Sequence, residues 1–300
     1  MSTETIPSLS RRQAWILASR PKTLPAAAAP VILGAAAAYY DHVFRLWPAL
    51  AALAVALLLQ IGANISNDYF DFKKGADTHE RVGPTRVTQA GLLAEREIIA
   101  GMAVVFGLAA LCGLYLIFQV GWPALVIGAL AILAALAYTG GPYPLGYHGL
   151  GEVFVFIFFG LAAVAGTYYV QAGHVSALAW WAAIPPGLLS TGILTINNLR
   201  DRETDLVSGK RTLAVRLGEK GALREYALCL GLAYLFCLPP ILLGAAPWFI
   251  LLTLLSAPLA VQLAQKAARL RGRPLNQVLA QTGQLELIFC LLYALGLLLV

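Results

Sequence analysis

Charged side chains are what this sequence has least of. Asp, Glu, Lys and Arg make up 12% of its 300 residues, where a soluble globular domain carries about a quarter, so an ordinary soluble fold is excluded. Cysteine is scarce too. Cys112, Cys229, Cys237 and Cys290 all lie in apolar runs with no CxxC or Cys/His ligand spacing, which excludes a disulfide framework and a zinc site and leaves them as packing residues. The histidines, His42, His79, His148 and His174, are dispersed and have no ligand partner by spacing. No block of Lys and Arg runs beyond a few positions, so the formal net charge of +6 does not read as a nucleic-acid surface. What is abundant is apolar, 59% of the chain, and the lipid bilayer is the solvent that suits it.

Apolar stretches of spanning length, about 20 residues for a helix, number nine: 24–40, 46–66, 98–118, 122–139, 150–171, 178–199, 226–245, 247–265 and 283–300. Alternating sides then put the N-terminus with the connections 67–97, 140–149, 200–225 and 266–282. That compartment holds 20 of the 21 Lys and Arg, with Arg45 alone opposite, so the positive-inside rule places the N-terminus in the cytoplasm. The charged, proline-bearing lead with Arg11, Arg12, Arg20 and Lys22 is unlike the short n-region of a cleavable signal, so the first span is expected to be retained. The expectation is one all-α integral membrane domain over 1–300, multi-pass in the plasma (inner) membrane.

The connections 67–97 and 200–225 contain eleven of the fifteen Asp and Glu. The second span runs into Asn64-Ile65-Ser66-Asn67-Asp68-Tyr69-Phe70-Asp71-Phe72-Lys73-Lys74-Gly75-Ala76-Asp77. The sixth runs into Asn197-Asn198-Leu199-Arg200-Asp201-Arg202-Glu203-Thr204-Asp205 and on to Gly209-Lys210-Arg211. In each, an apolar span ends in asparagine, two aspartates follow at helical spacing, and a glycine four residues after the second aspartate is placed to stop the helix. Four spans lie between the segments, so both emerge on one side in one direction, as in a tandem duplication of a four-span unit followed by a ninth helix.

On a continuing helix, Asn64, Asn67 or Asp68, and Asp71 share a face, as do Asn197, Asp201 and Asp205. If the two faces oppose across a cavity, the carboxylates repel in a poorly hydrated site, and a divalent cation relieves that repulsion. Oxygen donors without His or Cys favour Mg2+, which combines a few carboxylates with phosphate oxygens and water. The expected ligand is therefore a diphosphate. The amides of Asn64, Asn67 and Asn197 add ligation without charge, whereas Asn198 suits helix–helix hydrogen bonding about as well. Lys73, Lys74, Arg81 and Arg86 near the first segment, and Arg200, Arg202, Lys210 and Arg211 near the second, are placed to hold phosphate oxygens or, equally, to enforce topology.

Two such segments on cytoplasmic extensions of the second and sixth spans resemble the UbiA-type intramembrane prenyltransferases, and the resemblance covers nearly the whole chain. Arg20-Pro21-Lys22-Thr23 entering the first span and Tyr138-Thr139 ending the fourth add to it. The stretch Asn64 to Leu92, the loop Gly140 to Tyr147 and the run Gly166 to Gln171 are similar to the menaquinone-pathway branch, the 1,4-dihydroxy-2-naphthoate polyprenyltransferases. The resemblance implies transfer from a polyprenyl diphosphate to 1,4-dihydroxy-2-naphthoate on the cytosolic side, with loss of diphosphate and carbon dioxide, giving demethylmenaquinone. It implies Mg2+ at Asp68, Asp71, Asp201 and Asp205, with Asp77 a further candidate. Arg20, Lys73, Arg86, Lys210 and Arg211 would assist at the diphosphate, and Tyr69 and Tyr138 would wall an allylic cation away from water. Prenylation of another aromatic acceptor, such as 4-hydroxybenzoate, is the alternative within this chemistry. A secondary transporter is the alternative outside it, disfavoured because the outer halves of the spans contain almost no ionisable group.

Overall fold

The structure, a computed structural model, describes residues 9–75, 82–83 and 86–299. Its helices are α1 (Arg11–Ser19), α2 (Leu24–Tyr40), α3 (Leu46–Lys73), α4 (Glu95–Val120), α5 (Trp122–Ala137), α6 (Gly151–Val155), α7 (Gly166–Ala172), α8 (Ala177–Val207), α9 (Leu213–Leu235), α10 (Leu238–Leu242), α11 (Ala257–Arg269) and α12 (Leu275–Leu298). A π-helical stretch, Phe156–Ala165, joins α6 to α7, and 3-10 turns over Trp248–Ser256 lead into α11. No strand occurs among the described residues.

Among the described residues, eight helical stretches are long and apolar enough to cross a membrane, matching all the expected spans except the fourth. That one, α5, is apolar throughout but only 16 residues long, ~24 Å against a hydrocarbon core of ~30 Å. By contrast α3 and α8, with 28 and 31 residues, reach ~42 and ~46 Å. Both exceed the thickness of that hydrocarbon core, and their last turns carry the two acidic segments.

The main core joins α2, α8, α9 and α12 around Leu33, Ile196, Tyr226 and Phe289. A second core joins α1, α3 and α4 around Ala14, Ile65 and Ile98, and takes in Val87 and Leu93 from the loop before α4. Where α8 crosses the π-helical stretch, a Cβ on Gly160 would sit 2.7 Å from the Ala183 carbonyl oxygen, so the approach depends on the missing side chain. Trp47, Phe118, Trp122 and Leu242 point outward on the bundle surface, as lipid-facing side chains do. The cysteines are free and, except for partly exposed Cys112, buried. At one end of the bundle Arg45 bonds Gln119 and Gln171. The acidic segments lie at the other.

Candidate functional site

The two acidic segments meet at one polar cavity. From the end of α3 it is lined by Asn67 and Asp71, from the end of α8 by Asn197, Asn198, Asp201 and Asp205. Both helices stop where the glycines were expected to stop them, with Gly75 at φ +66° and Gly209 at φ +78°, left-handed conformations that glycine adopts without a Cβ penalty. The chain then doubles back, and Lys210 is returned to the cavity wall.

Asp71 accepts three side-chain hydrogen bonds there. Its Oδ2 accepts from Arg86 at 2.6 Å, while its Oδ1 accepts from the Tyr147 hydroxyl at 2.7 Å and from Lys210 Nζ at 3.1 Å. Lys210 also lies 3.9 Å from Asp205 and 4.6 Å above the Tyr147 ring. A single lysine thus joins the first acidic segment to the second. Lys74, just past α3, donates to the Gly141 carbonyl. Its pKa is lowered from the usual lysine value, chiefly by burial, with nearby Asp71 opposing the shift.

On α8, Arg200 donates Nε to Asp201 Oδ1 at 2.8 Å, holds its other oxygen through NH2, and reaches Asn197 Oδ1 at 2.9 Å. Its NH1 goes to Asn276 Oδ1 at 2.7 Å, and Asn276 in turn donates to the Val82 carbonyl at 3.2 Å. The first turn of α12 therefore ties the loop after α3 to the aspartate of the second segment. Asn198 donates to Glu152 at 2.9 Å, and Asn67 accepts from Thr139 at 2.9 Å. Arg20 reaches the cavity from the α1–α2 junction, where it holds φ +48°, a conformation that costs a residue with a Cβ about 1–2 kcal/mol.

Several expected site residues stand elsewhere. Both Asp68 oxygens accept backbone amides, from Val87 at 2.9 Å and Thr88 at 3.1 Å, which pins the loop that delivers Arg86. Asn64 donates to the Ser19 carbonyl and to Thr23, fixing the α1–α2 junction that carries Arg20. Tyr69 and Lys73 both bond Glu95, at 3.1 and 2.7 Å, on an exposed face. The backbone N–H of Arg211 donates to the Tyr147 carbonyl. Tyr138 lines the cavity. Asp77 and Arg81 lie outside the described residues. Tyr147 and Asn276 carry no periodic signal in the sequence, because each reaches the site from a loop or a helix start distant in the chain.

Asp71, Asp201 and Asp205 with Asn67 and Asn197 form an all-oxygen donor set, the chemistry that suits Mg2+. Among the described residues no three carboxylates, histidines or cysteines form a metal cage on their own, and Asp71 and Asp201 are each balanced by a cation. The set fits a cation shared with phosphate oxygens, not a closed protein site.

The UbiA prenyltransferase family matches this chain over residues 27–279. The chain is 42% identical to 1,4-dihydroxy-2-naphthoate octaprenyltransferase of Mycobacterium tuberculosis, over 93% of this chain and 95% of that one. It is 40% identical to the protein of the same name from Escherichia coli K12, over 96% of both. The fold is similar to that of a UbiA homolog from Aeropyrum pernix K1, with a TM-score of 0.72 at 19% identity over 93% of this chain and 98% of that one. It is also similar to a UbiA homolog from Archaeoglobus fulgidus bound to GPP and Mg2+, with a TM-score of 0.67 at 14% identity over 96% of this chain and 100% of that one.

Proposed function

The chain belongs to the UbiA prenyltransferase family, and from that premise we propose that it transfers a polyprenyl group from polyprenyl diphosphate to 1,4-dihydroxy-2-naphthoate. Diphosphate and carbon dioxide leave, and the prenylated 1,4-dihydroxynaphthalene is formed, the reduced (quinol) form of demethylmenaquinone and a menaquinone precursor. The observation that carries the reading is the cavity where both acidic segments and Lys210 meet, in a chain about 40% identical over nearly its whole length to proteins named for this reaction.

Asp71, Asp201 and Asp205, with Asn67 and Asn197, would hold Mg2+, and Asp77 is a further candidate by its place in the sequence. When bound, Mg2+ supplies positive charge to the departing diphosphate. Lys210 and Arg86, now on Asp71, exchange that carboxylate for phosphate oxygens as the substrate enters, with Arg20 beside them. Asp68 and Asn64 act at one remove, by fixing the loop and the junction that bring Arg86 and Arg20 in. Tyr69 and Lys73 pair with Glu95 on an exposed face and take no part at the diphosphate, and Arg211 holds the Tyr147 carbonyl through its backbone N–H. Tyr138, in the cavity lining, would help keep an allylic cation from water. The ring carbon bearing the carboxylate attacks that cation, and loss of carbon dioxide restores aromaticity.

The topology we propose has nine spans, with α5 crossing as the fourth and the two four-span units arising by duplication. The N-terminus and the cavity face the cytoplasm, because 20 of the 21 Lys and Arg fall on that side of the nine-span arrangement. The protein is then a multi-pass component of the plasma (inner) membrane.

The test is prenyl transfer by purified protein in detergent, with geranyl or farnesyl diphosphate and either 1,4-dihydroxy-2-naphthoate or 4-hydroxybenzoate, in Mg2+ or EDTA. Metal-dependent product and carbon dioxide with the naphthoate alone is the expected outcome. Transfer to 4-hydroxybenzoate instead would overturn the acceptor assignment.

A further inference from the structure

We propose that the amide oxygen of Asn198 binds a ring hydroxyl of the aromatic acceptor, and that Glu152, one layer behind, is the positioning residue that aims it. The inference rests on the prenyl-transfer reading above. Asn198 lines the cavity, and its Nδ2 donates to Glu152 Oε1 at 2.9 Å. The reversed amide would set two acceptor oxygens against each other, so Glu152 selects the flip that leaves Oδ1 for a ligand. Glu152 is itself only 6% exposed, and its second oxygen has no hydrogen-bond partner. Among the described residues no cation pairs with it. Beside it, α6 comes so close to Tyr138 that a Cβ on Gly151 would sit 2.9 Å from the phenol oxygen.

Two kinds of group line the cavity. Lys210 and Arg86, both on Asp71, suit a diphosphate, whereas Asn198, with Glu152 behind it and Tyr138 beside Gly151, offers a hydrogen-bond acceptor. A hydroxyl-bearing aromatic ring fits that acceptor, with its own carboxylate turned toward the cations. A ring hydroxyl donating to Asn198 gives electron density to the neighbouring ring carbon, which is the atom that must attack. The hydrogen bond to Glu152 polarises the amide and makes its oxygen a better acceptor.

Steady-state kinetics of the purified E152A, E152Q and N198A variants, with geranyl diphosphate and 1,4-dihydroxy-2-naphthoate each varied in turn, tests this. E152A and N198A should each raise the KM for the naphthoate on the order of tenfold, about one hydrogen bond's worth, and leave the KM for geranyl diphosphate unmoved. E152Q, which keeps an oxygen for Asn198 Nδ2, should restore most of the loss, and the double variant E152A/N198A should be no worse than N198A alone. A rise in the geranyl diphosphate KM instead, or E152Q failing as badly as E152A, would overturn the assignment. Should E152A not fold, an unchanged naphthoate KM in N198A overturns it alone. A wild-type protein that prenylates no acceptor would overturn the prenyl-transfer reading, and this inference with it.

Discussion

Replacing Asp68 by Asn is expected to loosen the loop that carries Arg86 and to lower prenyl transfer by that route, not through a lost metal ligand. Both Asp68 oxygens accept backbone N–H groups, at 2.9 and 3.1 Å, and the residue is 2% exposed. A hydrogen bond to a charged group contributes about 1.5–3 kcal/mol, and an orphaned buried donor costs about 1–3 kcal/mol. Asparagine keeps one acceptor, now uncharged, and turns an NH2 group toward the second N–H. The combined cost is about 2–4 kcal/mol, which raises local opening roughly thirty- to several-hundred-fold. Hydrogen exchange at the amides of Val87 and Thr88, paired with an Mg2+ titration of activity, reads both roles at once. Faster exchange and lower activity, with an unchanged Mg2+ requirement, is the expected result. Exchange like that of the wild type, together with a higher Mg2+ requirement, would refute the reasoning and make Asp68 a metal ligand.

Lys210→Ala should raise the KM for the diphosphate substrate about tenfold or more, because Lys210 lies within ion-pair reach of both Asp71 and Asp205; steady-state kinetics checks it, and Lys210→Arg should lose less. Tyr69→Phe and Lys73→Ala should stay within about twofold of wild-type activity, since the Lys73–Glu95 pair is solvent-exposed and exposed pairs contribute little. Gly160→Val should yield no folded protein by size-exclusion in detergent, because the new Cβ would meet the Ala183 carbonyl at 2.7 Å with no flexible side chain to give way.

The apolar spans were legible in the sequence because a bilayer demands a fixed run of apolar residues. The acidic segments were legible because they break those runs in the same way twice. Spacing placed Asn197, Asp201 and Asp205 correctly on one arc of α8, where all three line the cavity. It was too coarse on α3. At about 100° per residue, Asn64 and Asp68 form a stripe only ~60° from Asn67 and Asp71, and a rule for shared faces merges the two. In the folded chain that small rotation decides the neighbour. One stripe meets the α1–α2 junction and the loop amides, the other meets the cavity. The same arithmetic puts Tyr69 and Lys73 ~160° from the cavity stripe, so their distance from the site was readable from spacing alone. Tyr147 and Asn276 were not readable, because a residue brought in by a loop or a helix start has no period to betray it. Glu152 was hidden differently. At the head of an apolar span a single glutamate looks like a boundary residue in water, and only the packing of α6 against Tyr138 and Asn198 reveals a carboxylate set behind a cavity wall. Charge at the edge of a span therefore has to be judged by what packs over it, since the same residue is solvated in one arrangement and, in this one, aims the amide that faces the substrate.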